Sequence, residues 1–419
     1  MDPGTPHCPA AFHQSPPIYN DGMTSRRFLL GSATAWWPLS RLAAARKAPS
    51  AGVYAQLGIH PLINFQGTMT TIGASKMVEE IHTAMAEASR DYVFLEEVKD
   101  KVGERLAKLC GTEAAMVTSG AAGAIALGAY ACLTGEDNAK VRRLPDLTGM
   151  KTRVVIQKRH RNGYDHAVRS AGVRVIDVET KDQLAAAVNE DVAMMYYLGG
   201  SSHDWEWETP IPLGDCLEIT KRAGVPLLVD AANMLPPWGN ILKLAAQGVD
   251  LIACSGGKHI RGPQSSGILA GRKDLIRAAW LNSSPHSDSQ GRPMKVNREE
   301  MIGLLVAVER YAKLDFDAID RECARQADYL IGQFRKIGLA AERLPFDRTR
   351  RVHRVKVTWD ESKLGLTTRD VEKKLSDGDP RIVVLRAGGG HGLEFTVFMN
   401  DAGDEKIAAR RMREIFGRG

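Results

Sequence analysis

This chain of 419 residues lacks most of what would mark a disulfide scaffold, a zinc protein, a nucleic-acid binder or a membrane protein. Its six cysteines (Cys8, Cys110, Cys132, Cys216, Cys254 and Cys323) show neither paired nor metal-like spacing. That excludes a disulfide framework and a zinc signature, so no metal site is expected. Most of them fall in apolar segments, where a free thiol behaves as a small hydrophobe. The formal net charge is only +6, with Asp and Glu interleaved among Lys and Arg almost everywhere. Such interleaving describes solvated faces rather than a basic stripe for nucleic acid. No apolar run is long enough to span a bilayer as a mature helix. Internal repeats and low-complexity tracts are missing as well. What is left, 44% hydrophobic and 25% charged, is an ordinary globular chain long enough for one large and one small domain.

The N-terminus stands apart. Ser25-Arg26-Arg27-Phe28-Leu29-Leu30 opens an apolar stretch that runs through Trp36-Trp37-Pro38-Leu39. Ala43-Ala44-Ala45 then supplies small residues at a cleavage position. This is the layout of a secretory signal peptide, and the paired arginines point to the twin-arginine route. Residues 1–48 are therefore expected to be a leader, with Met23 as an alternative start. The chain is expected to be exported, periplasmic or secreted, and cytoplasmic if the arginine pair belongs to a plain tail.

Beyond the leader, short apolar segments alternate with helical patterns. Strands are expected at 114–117, 153–157, 173–178, 192–198, 226–229, 250–253 and 267–270. Helices fit at 77–89, 95–109, 120–133, 181–188 and 213–223, whereas 58–73 and 137–151 read as loops. Such alternation predicts an α/β fold with a mostly parallel sheet covered on both faces. A long helix over 297–336 then leads to strands at 352–358, 382–385 and 393–398 and helices at 368–376 and 405–416. The expected organisation is a large domain with an N-terminal arm over 49–293 and a small α+β domain over 294–419.

The chemistry centres on Lys258, in Ser255-Gly256-Gly257-Lys258-His259, followed by Arg261-Gly262-Pro263-Gln264-Ser265-Ser266-Gly267. The strand expected at 250–253 delivers the chain into that loop, and another ends upstream in Asp230. Pyridoxal phosphate needs an amine for a Schiff base and a carboxylate to keep its ring nitrogen protonated. A strand-end Asp and a Lys in a Ser/Gly loop supply both. The Ser255–Lys258 spacing also fits the S-x-x-K pattern of penicillin-binding enzymes, but two consecutive glycines oppose the helix that pattern needs.

Further residues join them. Ser119, Gly120 and Ala121 lie in Thr118-Ser119-Gly120-Ala121-Ala122-Gly123, between a strand and a helix, where backbone N–H groups can cradle a phosphate. His160, just past the strand at 153–157, is placed to stack on a flat cofactor, ahead of Tyr164 and His166; a structurally bonded histidine is the bland alternative. Ser255 is a further phosphate donor. Arg386, before Gly388-Gly389-Gly390, is a candidate for holding a substrate carboxylate, with Arg381 as its competitor. Arg292 and Lys295 are assigned to the cofactor phosphate or the substrate, reaching in from a partner subunit.

In this order the constellation resembles the fold-type I pyridoxal phosphate enzymes. More narrowly, Ser255-Gly256-Gly257-Lys258-His259-Ile260-Arg261-Gly262-Pro263-Gln264 is similar to the lysine loop of the selenocysteine synthase group. The blocks Arg292-Pro293-Met294-Lys295-Val296 and Glu299-Glu300-Met301-Ile302-Gly303-Leu304 resemble the next conserved stretch of that group. Its members include L-seryl-tRNA selenium transferases and D-glucosaminate-6-phosphate ammonia-lyases. The resemblance implies a seven-stranded-type sheet, a homodimer or higher homo-oligomer, and chemistry at the α-carbon of a small amino acid or amino sugar acid. The N-terminal tRNA-binding domain of the selenium transferases is expected to be absent, since an exported enzyme would not meet tRNA, and no nucleic-acid partner is expected. The expected activity is therefore an ammonia-lyase, with racemase, aldolase or transferase as alternatives and a cofactor-fold scaffold as the non-enzymatic case.

Overall fold

A computed structural model describes residues 52–200, 210–346 and 351–417; the leader expected over 1–48 lies outside them. Residues Gly58–Gly419 form one compact unit. The preceding residues form another, of which the helix Val53–Gln56 is described. Among the described residues no helix is long and apolar enough to cross a membrane.

The compact unit opens with a short strand, β1 (Leu62–Asn64), inside the stretch expected to be loop. Seven strands then build the main sheet: β2 (Ala114–Thr118), β3 (Arg153–Gln157), β4 (Arg174–Val178), β5 (Val192–Leu198), β6 (Leu227–Asp230), β7 (Leu251–Ser255) and β8 (Gly267–Gly271). Their order is β2-β8-β7-β6-β5-β3-β4. Neighbours run parallel except at β8, which is antiparallel to both β7 and β2. The strand core is apolar nearly without interruption, as a sheet covered on both faces requires. Side chains alternate between the two covered faces. Val155, Met195, Tyr197 and Val229 enter one core, and Val154, Ile156, Met194, Tyr196 and Leu228 the other.

Helix Gly120–Thr134 lies in the second of these cores and is buried nearly all round. Its alanines and glycines permit that closeness: a Cβ on Gly128 would stand 2.4 Å from Leu228 Cδ1. Helix Leu95–Cys110 covers the opposite face and ends on Gly111, which takes the left-handed conformation expected of a C-terminal cap. The stretch 137–151, expected to be loop, contains the helix Asn138–Arg143. Asp137 caps it, accepting from the Ala139 and Lys140 N–H groups at 2.8 and 3.3 Å.

The single helix expected over 297–336 is two helices, Arg298–Tyr311 and Phe316–Lys336. Asp315 supplies the missing signal, because its carboxylate accepts from the Ala318 N–H at 2.9 Å and so starts a new helix. The break also divides the cores. The first helix buries Met301, Leu304, Leu305 and Val308 beneath the main sheet, whereas the second buries Ala327, Leu330 and Phe334 in a separate core.

That separate core is built on β9 (Ala340–Arg343), β10 (His353–Thr358), β11 (Arg381–Val383), β12 (Leu385–Arg386) and β13 (Leu393–Val397). Four of these form an antiparallel sheet in the order β12-β13-β10-β9. The strand expected over 382–385 is split, and β11 pairs in parallel with β1 instead. Phe65 extends that pairing: its N–H donates to Val383 O, and its carbonyl accepts from Thr396, both at 2.8 Å. Its buried ring meets Phe395 edge-on at 5.5 Å. Ile63 of β1 and Phe65 thus pack with the smaller core, whereas Met77, Val78 and Ile81 pack with the large one.

Candidate active site

The parallel strands deliver their C-terminal ends to one edge of the main sheet, where open α/β sheets bind ligands. In register, Leu198 lies beside Asp230, Asp230 beside Ala253, Ser255 beside Gly267 and Gly267 beside Thr118. The turns carrying His160, Asp230, Ser255–Lys258 and Ser119–Ala121 therefore emerge side by side, although 139 positions separate Ser119 from Lys258 in the sequence.

The lysine loop is held by its own backbone. Gly256 N–H donates to Ser266 O and Gly262 N–H to Gly256 O, each at 2.9 Å, and Arg261 N–H donates to Lys258 O at 3.1 Å. Gly257 has no room for a side chain, since a Cβ would stand 2.4 Å from Gln264 O. Ser75 adds a tether from outside the loop, its hydroxyl donating to Gly257 O at 2.8 Å. Lys258 is half-buried, and its charge acts on both Asp230 and the Cys254 thiol.

Asp230 ends β6 and is 5% exposed. Burial pushes its carboxyl above the ordinary range. Against that work an N–H from Ala232 (3.0 Å), the Tyr196 hydroxyl (2.8 Å) and the charge of Lys258. A buried carboxylate so placed favours a cationic partner. Burial also drives the Tyr196 phenol well above its ordinary value, so this hydroxyl keeps its proton.

His160 is 1% exposed and meets the Tyr197 ring edge-on at 4.6 Å. Leu198 N–H donates to its Nδ1 at 3.3 Å, which places the ring proton on Nε2. Burial lowers its pKa from 6.5 to about 4. A neutral folded-state His binds fewer protons than the unfolded chain below pH 6.5, so stability falls as pH drops from about 6.5 towards 4. The full shift corresponds to about 3 kcal/mol. In His160→Gln, which keeps an acceptor for Leu198, that part of the acid-side slope is expected to vanish from urea midpoints measured against pH.

The Ser119–Ala121 turn opens the helix Gly120–Thr134, with Gly120 at φ +72°. Ser119 makes no side-chain cap and the first turn holds no acidic residue, an arrangement that suits an anion at the positive end of the helix. Gly267 packs directly behind: a Cβ there would lie 2.3 Å from the Gly120 carbonyl carbon. Ser255, at the adjacent strand end, is half-buried.

The arginines are placed differently. Arg386 is exposed on β12 and bound by Glu372, its Nε 2.7 Å from Oε2. The carboxylate it holds is the chain's own. Arg381 donates from Nε to Ser376 O at 2.9 Å. Arg292 is half-buried, with no ion pair among the described residues, and Lys295 is exposed. Tyr196 is the site residue that sequence reasoning passed over. Among the described residues no group of His, Cys, Asp and Glu could hold a metal ion. Burial pushes the Cys254 thiol up to about 12, so it stays protonated.

A family model, aminotransferase class-V, matches residues 73–391. The chain belongs to the class-V aminotransferase family. It is 30% identical to a D-glucosaminate-6-phosphate ammonia lyase from Salmonella typhimurium over 87% of this chain and 97% of that protein. It is 31% identical to a 5'-C-glycyluridine monooxygenase-decarboxylase from a Streptomyces species over 78% of this chain and 83% of the other. A solved structure of D-glucosaminate-6-phosphate ammonia-lyase superposes with a TM-score of 0.77 at 28% identity, covering 88% of this chain and 99% of that one. This class-V enzyme therefore has the fold-type I architecture and uses pyridoxal phosphate. The edge of the sheet fits that cofactor: an amine at Lys258, a buried carboxylate at Asp230, and a helix-opening turn without a side-chain cap for a phosphate.

Proposed function

We propose that the protein is a pyridoxal phosphate-dependent ammonia-lyase acting on a small amino acid or amino sugar acid. The likeness to the ammonia lyase over nearly the whole of both chains carries this reading. The placement of Lys258 beside Asp230 supports it. When bound, the cofactor draws away the charge that develops on the substrate α-carbon. Lys258 would hold the cofactor through Nζ, and the same atom would take the α-proton of the substrate. Asp230 would accept a hydrogen bond from the ring nitrogen and so keep the proton there. Ser119, Gly120 and Ala121, with Ser255, would hold the phosphate, and His160 would pack against the ring. The α-proton and a β-hydroxyl would leave as one water, and addition of one water would release ammonia and leave a keto acid.

The decarboxylase relative favours a second reading, in which the substrate loses carbon dioxide with uptake of oxygen. Screening amino acids and amino sugar acids for ammonia release, with oxygen and carbon dioxide followed in parallel, separates the two. Ammonia without oxygen uptake supports the lyase. Oxygen consumption with carbon dioxide release overturns it.

A homodimer belongs to the same proposal. Tyr92 is wholly exposed and Phe94 is 77% exposed, a tip of apolar surface that Arg298 borders at 6.0 Å from the Tyr92 ring. Two residues beyond Arg298, Glu300 is hydrogen-bonded to Ser265, whose carbonyl faces Gly120. In such a dimer Arg292 and Lys295 are the residues assigned to reach the cofactor phosphate or the substrate of the other copy, whereas Arg386 is held by Glu372. Sedimentation as a single chain would remove that route. Export through Arg26 and Arg27 completes the proposal; an Arg26→Lys, Arg27→Lys chain is expected to stay in the cytoplasmic fraction.

A further inference from the structure

Tyr196 sits two strands from β7, in the middle of the buried sheet, where its ring alone would satisfy packing. Its hydroxyl, however, is not idle. It donates to Asp230 Oδ2 at 2.8 Å while the Ala232 N–H occupies Oδ1 at 3.0 Å. The Asn162 carboxamide lies beside the same hydroxyl. Asn162 is itself fixed, donating to His160 O at 3.0 Å and accepting from Tyr164 N–H at 2.7 Å.

We infer that Tyr196 is a positioning residue that weakens Asp230 as a base, so that the proton shared with the cofactor's ring nitrogen stays on the nitrogen. This rests on the cofactor assignment proposed above. The reasoning is one of competition for a single proton. A carboxylate in an apolar site becomes more basic, and at the end of a buried strand Asp230 would tend to take the ring proton for itself. A hydroxyl donated to Oδ2 stabilises the charged form and opposes that tendency. The donor must be a group that never ionises, and a phenol whose acidity is suppressed by burial meets that condition. Asn162 keeps the phenol turned towards Asp230. Parallel pairing of Leu198 with Asp230 fixes the strand spacing across which the bond forms. Nothing in the run Met194-Met195-Tyr196-Tyr197 distinguishes this tyrosine from its neighbour by composition. Only the face it occupies does so.

The test is the ring-nitrogen resonance of ¹⁵N-labelled pyridoxal phosphate bound to full-length wild type, Tyr196→Phe and Asp230→Ala. Phenylalanine keeps the ring and its packing and removes the hydroxyl alone. The wild-type resonance is expected at the protonated position and that of Asp230→Ala at the unprotonated one. Tyr196→Phe is expected to fall between them, with roughly tenfold weaker cofactor retention, the loss of one hydrogen bond to a charged group. Asn162→Ala should move the resonance the same way by less. A Tyr196→Phe resonance identical to wild type would overturn the inference while leaving the cofactor assignment intact. A wild type that binds no cofactor would overturn the assignment first.

Discussion

Lys258→Ala is expected to leave a folded protein that carries no covalently fixed cofactor and releases ammonia at least about 10³-fold more slowly than wild type. Two losses combine. The amine that anchors the cofactor is gone, and so is the base poised to take the substrate's α-proton. The fold should survive, because Gly256, Gly262 and Ser266 hold the loop through backbone bonds that the substitution does not touch. Asp230 loses the positive charge that opposes its burial and becomes easier to protonate. Stability near neutral pH is therefore expected to fall only modestly. Borohydride treatment followed by peptide mapping gives the decisive readout: wild type should carry reduced cofactor on the peptide containing Lys258, and the variant should carry none. Cofactor fixed to another lysine in wild type would sink the assignment of Lys258. Undiminished ammonia release in the variant would sink its role as base.

Much of the main sheet was legible because its strands are short apolar runs bounded by breakers, and β3 and β5 fall on the expected residues. The strand-end positions of Asp230 and Lys258 followed from those boundaries. What stayed hidden lacks a local signature. β1 is three residues long and exists only because β11, far away in sequence, pairs with it. The break at 312–315 depends on an Asp315 cap within a continuous helical pattern. Arg386 stood at a suggestive strand end, yet Glu372 claims its guanidinium, and helix-to-strand pairing of that kind cannot be read from spacing. Tyr196 is the clearest example. Its neighbour Tyr197 faces the opposite core and packs against His160, so two adjacent and identical residues have different work. Strand alternation separates them, but only the register with β6 shows which one reaches Asp230.

Gly267→Ala should damage both stability and cofactor binding with a single added methyl. Replacing a strand glycine with alanine is ordinarily favourable, because alanine has less conformational freedom to lose. Here the added carbon would stand 2.3 Å from the Gly120 carbonyl carbon, 2.5 Å from its oxygen and 2.8 Å from Ala121 N. All three are backbone atoms, so no rotamer change relieves the contact. Either β8 must slide against β2 and β7, breaking the pairing of Gly267 with Thr118 and Ser255, or the first turn of helix Gly120–Thr134 must lift. The cost is expected at about 3–5 kcal/mol, in the range of severe core overpacking. Lifting the turn would also scatter the N–H groups that face the cofactor phosphate. Pyridoxal phosphate titration should therefore show weakened binding even at temperatures where the variant remains folded. Gly332→Ala serves as the control, because nothing lies within 4 Å of its Cβ position on helix Phe316–Lys336. That change should stabilise the protein by about 0.5–1 kcal/mol. If urea unfolding placed the two variants together, the close packing of Gly267 against the phosphate turn would be wrong. If Gly267→Ala lost stability but bound the cofactor as wild type does, the phosphate would have to be held elsewhere than at Ser119–Ala121.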